Sequence, residues 1–569
     1  MTKEELIRIL SFVESSRTLT EFTHPLSSVD PRWNIIAYCV RRHFEGKLIT
    51  VTSLAMASNV PYATAMRRIN ELIDEGMLLK RIKTKTGKSF SIHPTEKMIK
   101  QFEAFAFQLK GLVGSTFGFH SDQRDFYFGG AYMGQRTIPY PSVLKDGLGY
   151  ERVLKILCPS DPTFRTLSDL SSTLNELCGG KLKIVNLALD ELHDEIIANA
   201  QRAESQYDLI AVDLPWFGEF VSKNMLLPLT QFIEEKSFNH NDFHTAAWRA
   251  SMLAGEQYGI PIQPTAELLF YRRDMLEELG LSPPKTTQDL LDTLIQLQQC
   301  HPETYGIILN CGSGTPVAHT FLQILASFGK AVINLPKVGD DFDTENLQAN
   351  NFKPCLDSKE ALAAVHYLKS LLKLAHPASL KCDWDKRIRL FSEGETAFTF
   401  GWSIRAGFFE LNPDSLPNGN VGYCVAPPNV GCKPISPIGG FSLAIPSNLP
   451  VEHLGTTWQM MSYLTTPEMM KWYTLNGSFS SPRFSTSADE EVVEFSSVIN
   501  TVDSLEKKGQ IQVWPRVSIP EFSDITHILG EEIHAILRDV KSPEEGLESA
   551  QFRINQIMIE TGRYKKSQL

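Results

Sequence analysis

The sequence contains no continuous run of about 18 apolar residues, so no membrane-spanning helix is predicted. The first residues, from Met1 to Arg8, are polar and lack the apolar stretch and cleavage site that direct export. The nine cysteines are an odd number without CxxC spacing, and scattered thiols are typical of a reducing compartment. We therefore expect a cytoplasmic protein with no membrane partner.

Catalytic motifs are also missing, because the sequence has no GxSxG, HExxH or GxxxxGK[ST] pattern. Glu393 and Glu395 are two residues apart in a turn, which is a poor arrangement for paired acid–base carboxylates. The histidines do not have metal-ligand spacing. We expect no enzyme activity, no catalytic residue, no metal and no cofactor.

Length and charge divide the chain into parts. At 569 residues it is too long for one hydrophobic core. The first 100 residues carry 16 lysines and arginines against 10 acidic residues, whereas the remainder carries 39 against 56. A basic segment on an acidic body indicates a polyanionic partner for the first part only.

The basic segment shows an ordered series of helix signals. Apolar spacing over residues 33–45 predicts one helix, and Thr52 supplies the capping hydroxyl of a second. Pro61 suits the start of a third helix over about 62–75, which ends at Gly76. Two short strands joined by a lysine-rich turn complete the pattern.

The stretch SLA..SNVPYATAMRRINELIDEGML..R resembles winged helix-turn-helix domains of the MarR or GntR type, over roughly residues 33–95. In that family the third helix enters the major groove and the hairpin contacts the DNA backbone beside it. The resemblance implies a mainly α DNA-binding domain over residues 1–116. A winged helix that contacts protein is the alternative. By position, the DNA contacts would be Tyr62, Thr64, Arg67, Arg68, Lys83, Lys85 and Lys88.

Residues 94–116 form a predicted helix that is too apolar to stand alone. One use is homodimerisation, because helix-turn-helix proteins usually read their operators as two copies. Packing against the C-terminal domain is the other. An aromatic linker over residues 117–150 follows.

Beyond the linker, strands and helices alternate. Strands are predicted over residues 153–157, 181–187 and 208–212, with helices over 166–177 and 191–203 between them. This alternation predicts an α/β sheet, in which ligands bind at the carboxyl ends of the strands.

Four stretches resemble the family 1 extracellular solute-binding proteins of sugar transporters, the maltose-binding-protein-like group. They are YDLIAVDLPWFGEFVSKNMLLPL, YGIPIQPTAELLFYRRDMLEELGLSPPKT, LFSEGETAFTFGW, and SPIGGFSLAIPSNLP with the MMSYLTTPEMMKWYTLNGSFSSPR that follows it. The resemblance covers most of residues 151–569. It implies a two-lobed α/β fold of the periplasmic binding protein type II class, whose lobes close around a ligand.

The matching motifs imply specific lobe boundaries. Lobe one would be 151–260 and 438–485, and lobe two would be 261–437 and 486–569. The chain would cross between lobes near residues 259–261 and 438–440, where glycine and proline occur.

A sugar needs a flat aromatic platform and polar groups for its hydroxyls. Trp402 and Trp216 are the candidate platforms, and Asp213 could accept two hydroxyl hydrogen bonds. The alternatives are core packing for the tryptophans and a helix cap for Asp213. The full set of candidate ligand-binding residues is Ser160, Asp161, Asp213, Trp216, Gln263, Thr265, Trp402, Gly440, Phe441 and Arg483.

The two resemblances together predict a sugar-responsive, DNA-binding transcriptional regulator that acts as a homodimer on operator DNA. The alternative is a cytoplasmic carbohydrate-binding sensor or scaffold whose winged helix contacts protein. The cleft residues include no dense basic cluster or P-loop, which favours a neutral sugar over a phosphorylated one.

Overall fold

The chain separates into two compact units, Met1–Pro139 and Tyr140–Leu569, in a computed structural model. The structure describes residues 6–7, 10, 13–14, 31–82, 90–117, 119–120, 126–128, 131–133, 152–169, 171, 174–175, 181–339, 341–412 and 415–565.

The first unit contains the predicted order of three helices and a hairpin. The elements are α1 (Pro31–Phe44), α2 (Val51–Ala57), α3 (Tyr62–Asp74), β1 (Leu78–Ile82), β2 (Phe90–Pro94) and α4 (Glu96–Phe117). The strands pair antiparallel, from Leu78 opposite Pro94 to Ile82 opposite Phe90. Its assignment as a winged helix stays a prediction, because the turn 83–89 lies outside the described residues.

Helix α2 begins earlier than the sequence predicts. The Thr50 hydroxyl accepts a hydrogen bond from the Ser53 backbone at 3.0 Å, and the Ser53 hydroxyl accepts one from the Thr50 backbone at 3.1 Å. The cap is therefore Thr50 and not Thr52, because this reciprocal pair satisfies two free N–H groups. Helix α3 buries Ala65, Ile69 and Leu72, as its apolar spacing predicts.

Three short strands lie within the predicted linker. They are β3 (Phe119–His120), β4 (Phe126–Phe128) and β5 (Ala131–Met133), which form one antiparallel sheet. The rest of 118–150 lies outside the described residues.

The second unit alternates strands and helices. Its strands are β6 (Val153–Pro159), β7 (Lys181–Leu187), β8 (Leu209–Asp213), β9 (Met252–Leu253), β10 (Glu256–Gln257), β11 (Ile260–Arg272), β12 (Tyr305–Ile308), β13 (Lys337–Val338), β14 (Asp341–Phe342), β15 (Thr396–Trp402), β16 (Val421–Cys424), β17 (Ser436–Ala444) and β18 (Ile511–Gln512). Its helices are α5 (Pro162–Asp169), α6 (Leu189–Ala200), α7 (Phe217–Ser222), α8 (Thr230–Glu235), α9 (Thr245–Arg249), α10 (Arg273–Glu278), α11 (Thr287–Cys300), α12 (Thr315–Ser327), α13 (Lys359–Lys373), α14 (Trp384–Ser392), α15 (Gly407–Glu410), α16 (Val451–Leu464), α17 (Pro467–Tyr473), α18 (Phe484–Ser487), α19 (Glu490–Phe495), α20 (Ser497–Lys507), α21 (Phe522–Leu537) and α22 (Pro543–Glu560).

The main strands run in the order β12-β15-β11-β17-β8-β6-β7, with β16 paired to β11 and β18 to β17. Strands β6, β7 and β8 are parallel, and so are β12 and β15. The long antiparallel strand β11 joins these two groups, so each group forms the sheet of one lobe.

The first crossing between lobes lies further along the chain than predicted. Strand β11 pairs with β17 from Ile260 to Ala266 and with β15 from Glu267 onward. The crossing is therefore at 266–267 and not at 259–261, because one 13-residue strand spans both lobes and its glycine–proline start stays within the lobe-one sheet. Gln263 and Thr265 accordingly belong to lobe one. The second crossing lies next to the first, near Ile438, because Ile438 of β17 pairs with Ala266.

The C-terminal helices complete the core of lobe two. Helix α21 packs against α12 and α22, and Ile525, Leu529 and Ile533 are buried with Phe321 and Leu325 in one apolar cluster. Burial of each such side chain stabilises the fold by about 1.5–3 kcal/mol. Among the helices that the structure describes, none is long and apolar enough to cross a bilayer.

Candidate functional site

A cavity of about 660 Å³ lies between the lobes, at the carboxyl ends of their strands. Ser160 and Asp161 follow β6, Asp213 ends β8 and Trp402 ends β15, and all four line it. Parallel strands present their carboxyl ends at one edge of a sheet, so residues distant in sequence meet there. The volume falls within the range of about 300–1,000 Å³ that is usual for small-molecule sites.

Aromatic side chains form much of the cavity wall. The Trp402 and Trp384 rings are 6.3 Å apart in lobe two. On lobe one, Trp216 packs against His193 with ring centres 4.9 Å apart, and Phe441 packs against the buried Phe164 at 5.8 Å. Trp402 and Trp216 are both half-buried, so part of each ring is available to a ligand.

A buried ion pair lies beside the Trp402 ring. The Arg516 guanidinium is 5.1 Å from the ring centre, and its Nη2 is 3.5 Å from Asp213 Oδ2. Arg516 Nη1 also donates to the Ile438 carbonyl at 3.2 Å. Burial raises the pKa of Asp213, and Arg516 opposes that rise. The long contact leaves the carboxylate of Asp213 free to accept hydrogen bonds from a ligand.

A second ion pair bridges the lobes at the cavity. Arg405 of lobe two lies 3.2 Å from Asp161 of lobe one, and 3.4 Å from Asp385. Gln263 does not line the cavity. It is fully buried, donates to Asp161 Oδ2 at 3.0 Å, and so orients that carboxylate.

Strands β11 and β17, which form the hinge, place Thr265 and Gly440 in the cavity wall. Thr265 lies 3.0 Å from the Ser403 hydroxyl and accepts from the Ile404 backbone at 3.2 Å. Gly440 has φ of 96°, and a Cβ there would lie 1.8 Å from the Gln263 carbonyl oxygen. A side chain at 440 would therefore force the paired strands β11 and β17 apart.

Arg483 does not line the cavity. Its Nε donates to the Thr465 carbonyl at 2.8 Å, and its Nη1 lies 3.2 Å from Asp242. The guanidinium stacks 3.8 Å from the Phe243 ring centre. Arg483 thus ties together elements inside lobe one, and nothing in its local sequence distinguishes that role from ligand binding.

The sequence interpretation missed several residues that line the cavity. Arg516 ends the short 3₁₀ turn 514–516, His319 lies in the second turn of helix α12, and Trp384 begins helix α14. Burial and the nearby Arg516 and Arg387 hold the pKa of His319 well below its usual value, so its imidazole is neutral. The remaining missed residues with polar side chains at the cavity are Arg165, His193, Asp194, Thr315, Asp385, Arg405, Ser523, Thr526 and His527.

The structure has no group of three or more histidine, cysteine, aspartate or glutamate side chains placed to hold a metal ion, within the part of the chain that it describes.

The candidate DNA-contacting residues on α3 lie at its exposed first half. Tyr62 is 61% exposed, and Thr64 is half-buried. Arg67 and Arg68 both face Glu71, at 3.8 Å and 2.8 Å. The other three candidates, Lys83, Lys85 and Lys88, lie outside the described residues.

Residues 170–495 match the bacterial extracellular solute-binding protein family. The chain belongs to that family. The match begins beyond residue 139, so it does not include the first unit. The two-lobed fold and the solute-binding character predicted from the sequence are confirmed.

Individual relatives are distant. A probable ABC transporter-binding protein of Deinococcus radiodurans is 23% identical over 298 residues, which are 51% of this chain and 66% of that protein. A probable amino-acid ABC transporter periplasmic-binding protein of Sinorhizobium fredii is 19% identical over 422 residues, 72% of this chain and 90% of that protein. The chain therefore spans just under two thirds of the Deinococcus protein.

Solved structures share the fold. An ABC transporter solute-binding protein from Agrobacterium radiobacter, in complex with ribitol, has a TM-score of 0.64 and 23% identity, covering 72% of this chain and 99% of that chain.

Proposed function

We propose that the cavity between the lobes binds a neutral sugar or sugar alcohol. The carrying observation is the Trp402 ring beside the buried Arg516–Asp213 pair, which offers an apolar face, donors and an acceptor in one place. Sugars present C–H faces and hydroxyls together, and a buried hydroxyl must be hydrogen-bonded. The ribitol complex of a protein with this fold supports the assignment.

The balance of charge at the cavity favours a neutral ligand over an anionic one. Among the described lining residues, three arginines stand against four aspartates: Arg165, Arg405 and Arg516, and Asp161, Asp194, Asp213 and Asp385. Two of the arginines already face aspartates across the lobes. A phosphate would need arginines that are free of carboxylate partners.

A calorimetric titration tests this proposal. The panel contains ribitol, other sugar alcohols, mono- and disaccharides, sugar phosphates and free amino acids. Binding of a neutral sugar or alcohol with a single site is expected. Binding of only amino acids or only phosphorylated sugars would contradict the assignment.

Two tryptophan variants link the binding to the cavity. Trp402→Ala removes a cavity ring, and Trp248→Ala removes a half-buried ring that does not line the cavity. Loss of affinity in the first and its retention in the second is the expected result.

We also propose that the first unit binds operator DNA and that the whole chain is a sugar-responsive transcriptional regulator, which acts as a cytoplasmic homodimer. The support is the order of helices α1 to α3 before the β1–β2 hairpin, the exposed first half of α3, and the excess of basic residues among the first 100. Closure of the lobes on a sugar would alter the spacing of the two DNA-binding units.

Selection of genomic fragments by the purified full chain, with and without the bound sugar, tests the regulator. A specific fragment should be retained, lost in an Arg67→Ala/Arg68→Ala variant, and altered in affinity by the sugar. Specific binding that no bound sugar changes would refute the control by ligand.

The alternative is a carbohydrate-binding sensor or scaffold that does not read DNA. The family match favours it, because that match covers only the second unit and the relatives named are transporter-associated binding proteins. Sugar binding without selection of any DNA fragment would establish this alternative. In either case we propose a binding protein and not an enzyme.

A further inference from the structure

A fully buried ion pair lies behind the cavity wall of lobe two. Arg387 Nη2 is 2.7 Å from Glu267 Oε1, and the side chains are 1% and 5% exposed. Neither residue lines the cavity. Replacing such a pair by apolar residues often leaves stability unchanged or raises it, so stability alone does not account for the pair.

Each member of the pair lies next to one cavity tryptophan. Glu267 is directly opposite Trp402 in the pairing of β11 with β15. The Arg387 guanidinium is 5.4 Å from the centre of the Trp384 ring. The ion pair therefore links helix α14, which carries Trp384, to strand β11, which pairs with the strand that carries Trp402.

Glu267 also lies at the hinge. It is the first residue of β11 beyond the crossing, since Ala266 before it still pairs with Ile438 of β17. The ion pair thus fixes the wall of lobe two to the strand that enters from lobe one.

We propose that the Glu267–Arg387 ion pair is a positioning pair, which holds the Trp384 and Trp402 rings at the mutual angle that a ligand meets. This rests on the proposed sugar-binding function. The pair acts through the rings and does not touch the ligand. A charged pair in a dry interior is strongly directional, so it restrains the strand and the helix more narrowly than apolar packing does.

The test is a double variant, Glu267→Leu/Arg387→Met, which removes both charges and leaves neither buried alone. All eight tryptophans contribute to the near-ultraviolet circular dichroism bands, so the contribution of the cavity ring pair is the part that Trp402→Ala removes, and it is measured without any ligand. We expect those bands to change while the cooperative unfolding transition is retained, and the affinity for ribitol to fall about tenfold.

The matched control is Asp242→Asn/Arg483→Met. Its arginine is also buried and also stacks on an aromatic ring, Asp242 is 16% exposed, and neither residue lines the cavity. We expect this control variant to change stability and to leave ribitol affinity as it is. Any change in its tryptophan bands should come from Trp248, whose ring packs 5.3 Å from Phe243, and not from the cavity rings. If the double variant does not fold, Arg387→Lys, which keeps the charge but not the fork geometry, provides the same comparison.

Unchanged tryptophan bands in a folded Glu267→Leu/Arg387→Met variant would overturn the positioning role. Failure of the wild-type protein to bind ribitol or any other sugar would instead contradict the proposed function. The spectra of the ligand-free protein would still test the positioning role in that case.

Discussion

The cavity and helix α3 each contain an ion pair between an arginine and a carboxylate, but the cavity pair is buried and the α3 pair is exposed to solvent. Arg516 and Asp213 in the cavity are 8% and 12% exposed, whereas Arg67 and Glu71 on α3 are 67% and 38% exposed. Water screens the second pair and barely reaches the first. Under the proposed functions, the cavity pair would discriminate among ligands, whereas the α3 arginines would exchange Glu71 for a DNA phosphate at little cost.

Among these predictions, breaking the buried Arg516–Asp213 ion pair should have the largest effect, and that effect is on the free energy of unfolding. Arg516→Met leaves Asp213 buried without its counter-charge, so the free energy of unfolding should fall by about 3 kcal/mol. Urea unfolding measures this. Adding Asp213→Asn removes the stranded charge and should restore much of the loss. A single variant as stable as wild type would show that the pair is not electrostatically important.

Removing the Trp402 ring should lower the affinity for sugar more than it lowers the stability of the fold. Trp402→Ala takes away the ring face and should reduce sugar affinity at least tenfold, about 1.4 kcal/mol. Calorimetric titration measures the sugar affinity of Trp402→Ala, and Trp248→Ala is the control variant. Equal losses in both variants would place the sugar somewhere other than this cavity.

Asp213 should make stability and affinity respond to pH in opposite directions. Its pKa is raised by burial, so its contribution to stability is present below its ordinary value and lost as pH rises through the raised value. Sugar affinity should instead fall as pH drops through that value, because the protonated acid accepts fewer hydrogen bonds. Asp213→Asn should flatten both profiles, and persistence of either would assign it to another group.

Breaking the exposed Arg67–Glu71 ion pair should have the smallest effect on stability. Glu71→Gln frees Arg67 and Arg68 and should change stability by less than about 0.5 kcal/mol. DNA affinity should rise, and Arg67→Ala should lower the salt dependence of binding by about one ion. Salt titrations of DNA binding measure both. A Glu71→Gln variant with weaker DNA affinity would show that Glu71 supports the interface.

Residues at strand ends could be predicted from the sequence, because their position depends only on where a strand stops. Asp161, Asp213 and Trp402 line the cavity for that reason. Arg516 and His319 could not be found this way, since they reach the cavity only through tertiary packing of the C-terminal segment and α12. Arg483 precedes a short helix and does not end a strand, and it is used for internal packing.

The hinge shows a second limit of local signals. Glycine and proline at 259–261 predict a crossing there, yet β11 continues past them, with a shift of register between Pro261 and Gln263, and crosses at 266–267. Strand pairing with β17 and β15 decides the crossing, and pairing partners are not encoded in the neighbouring residues. Gly440 could be located by its type, because only glycine fits against Gln263.

The most direct test of the central claim is the titration of the full chain with ribitol and the wider panel of neutral sugars and alcohols. The account predicts single-site heat for at least one of them, lost in Trp402→Ala and retained in Trp248→Ala. A wild-type protein that binds none of them, or heat that survives in Trp402→Ala, would contradict it.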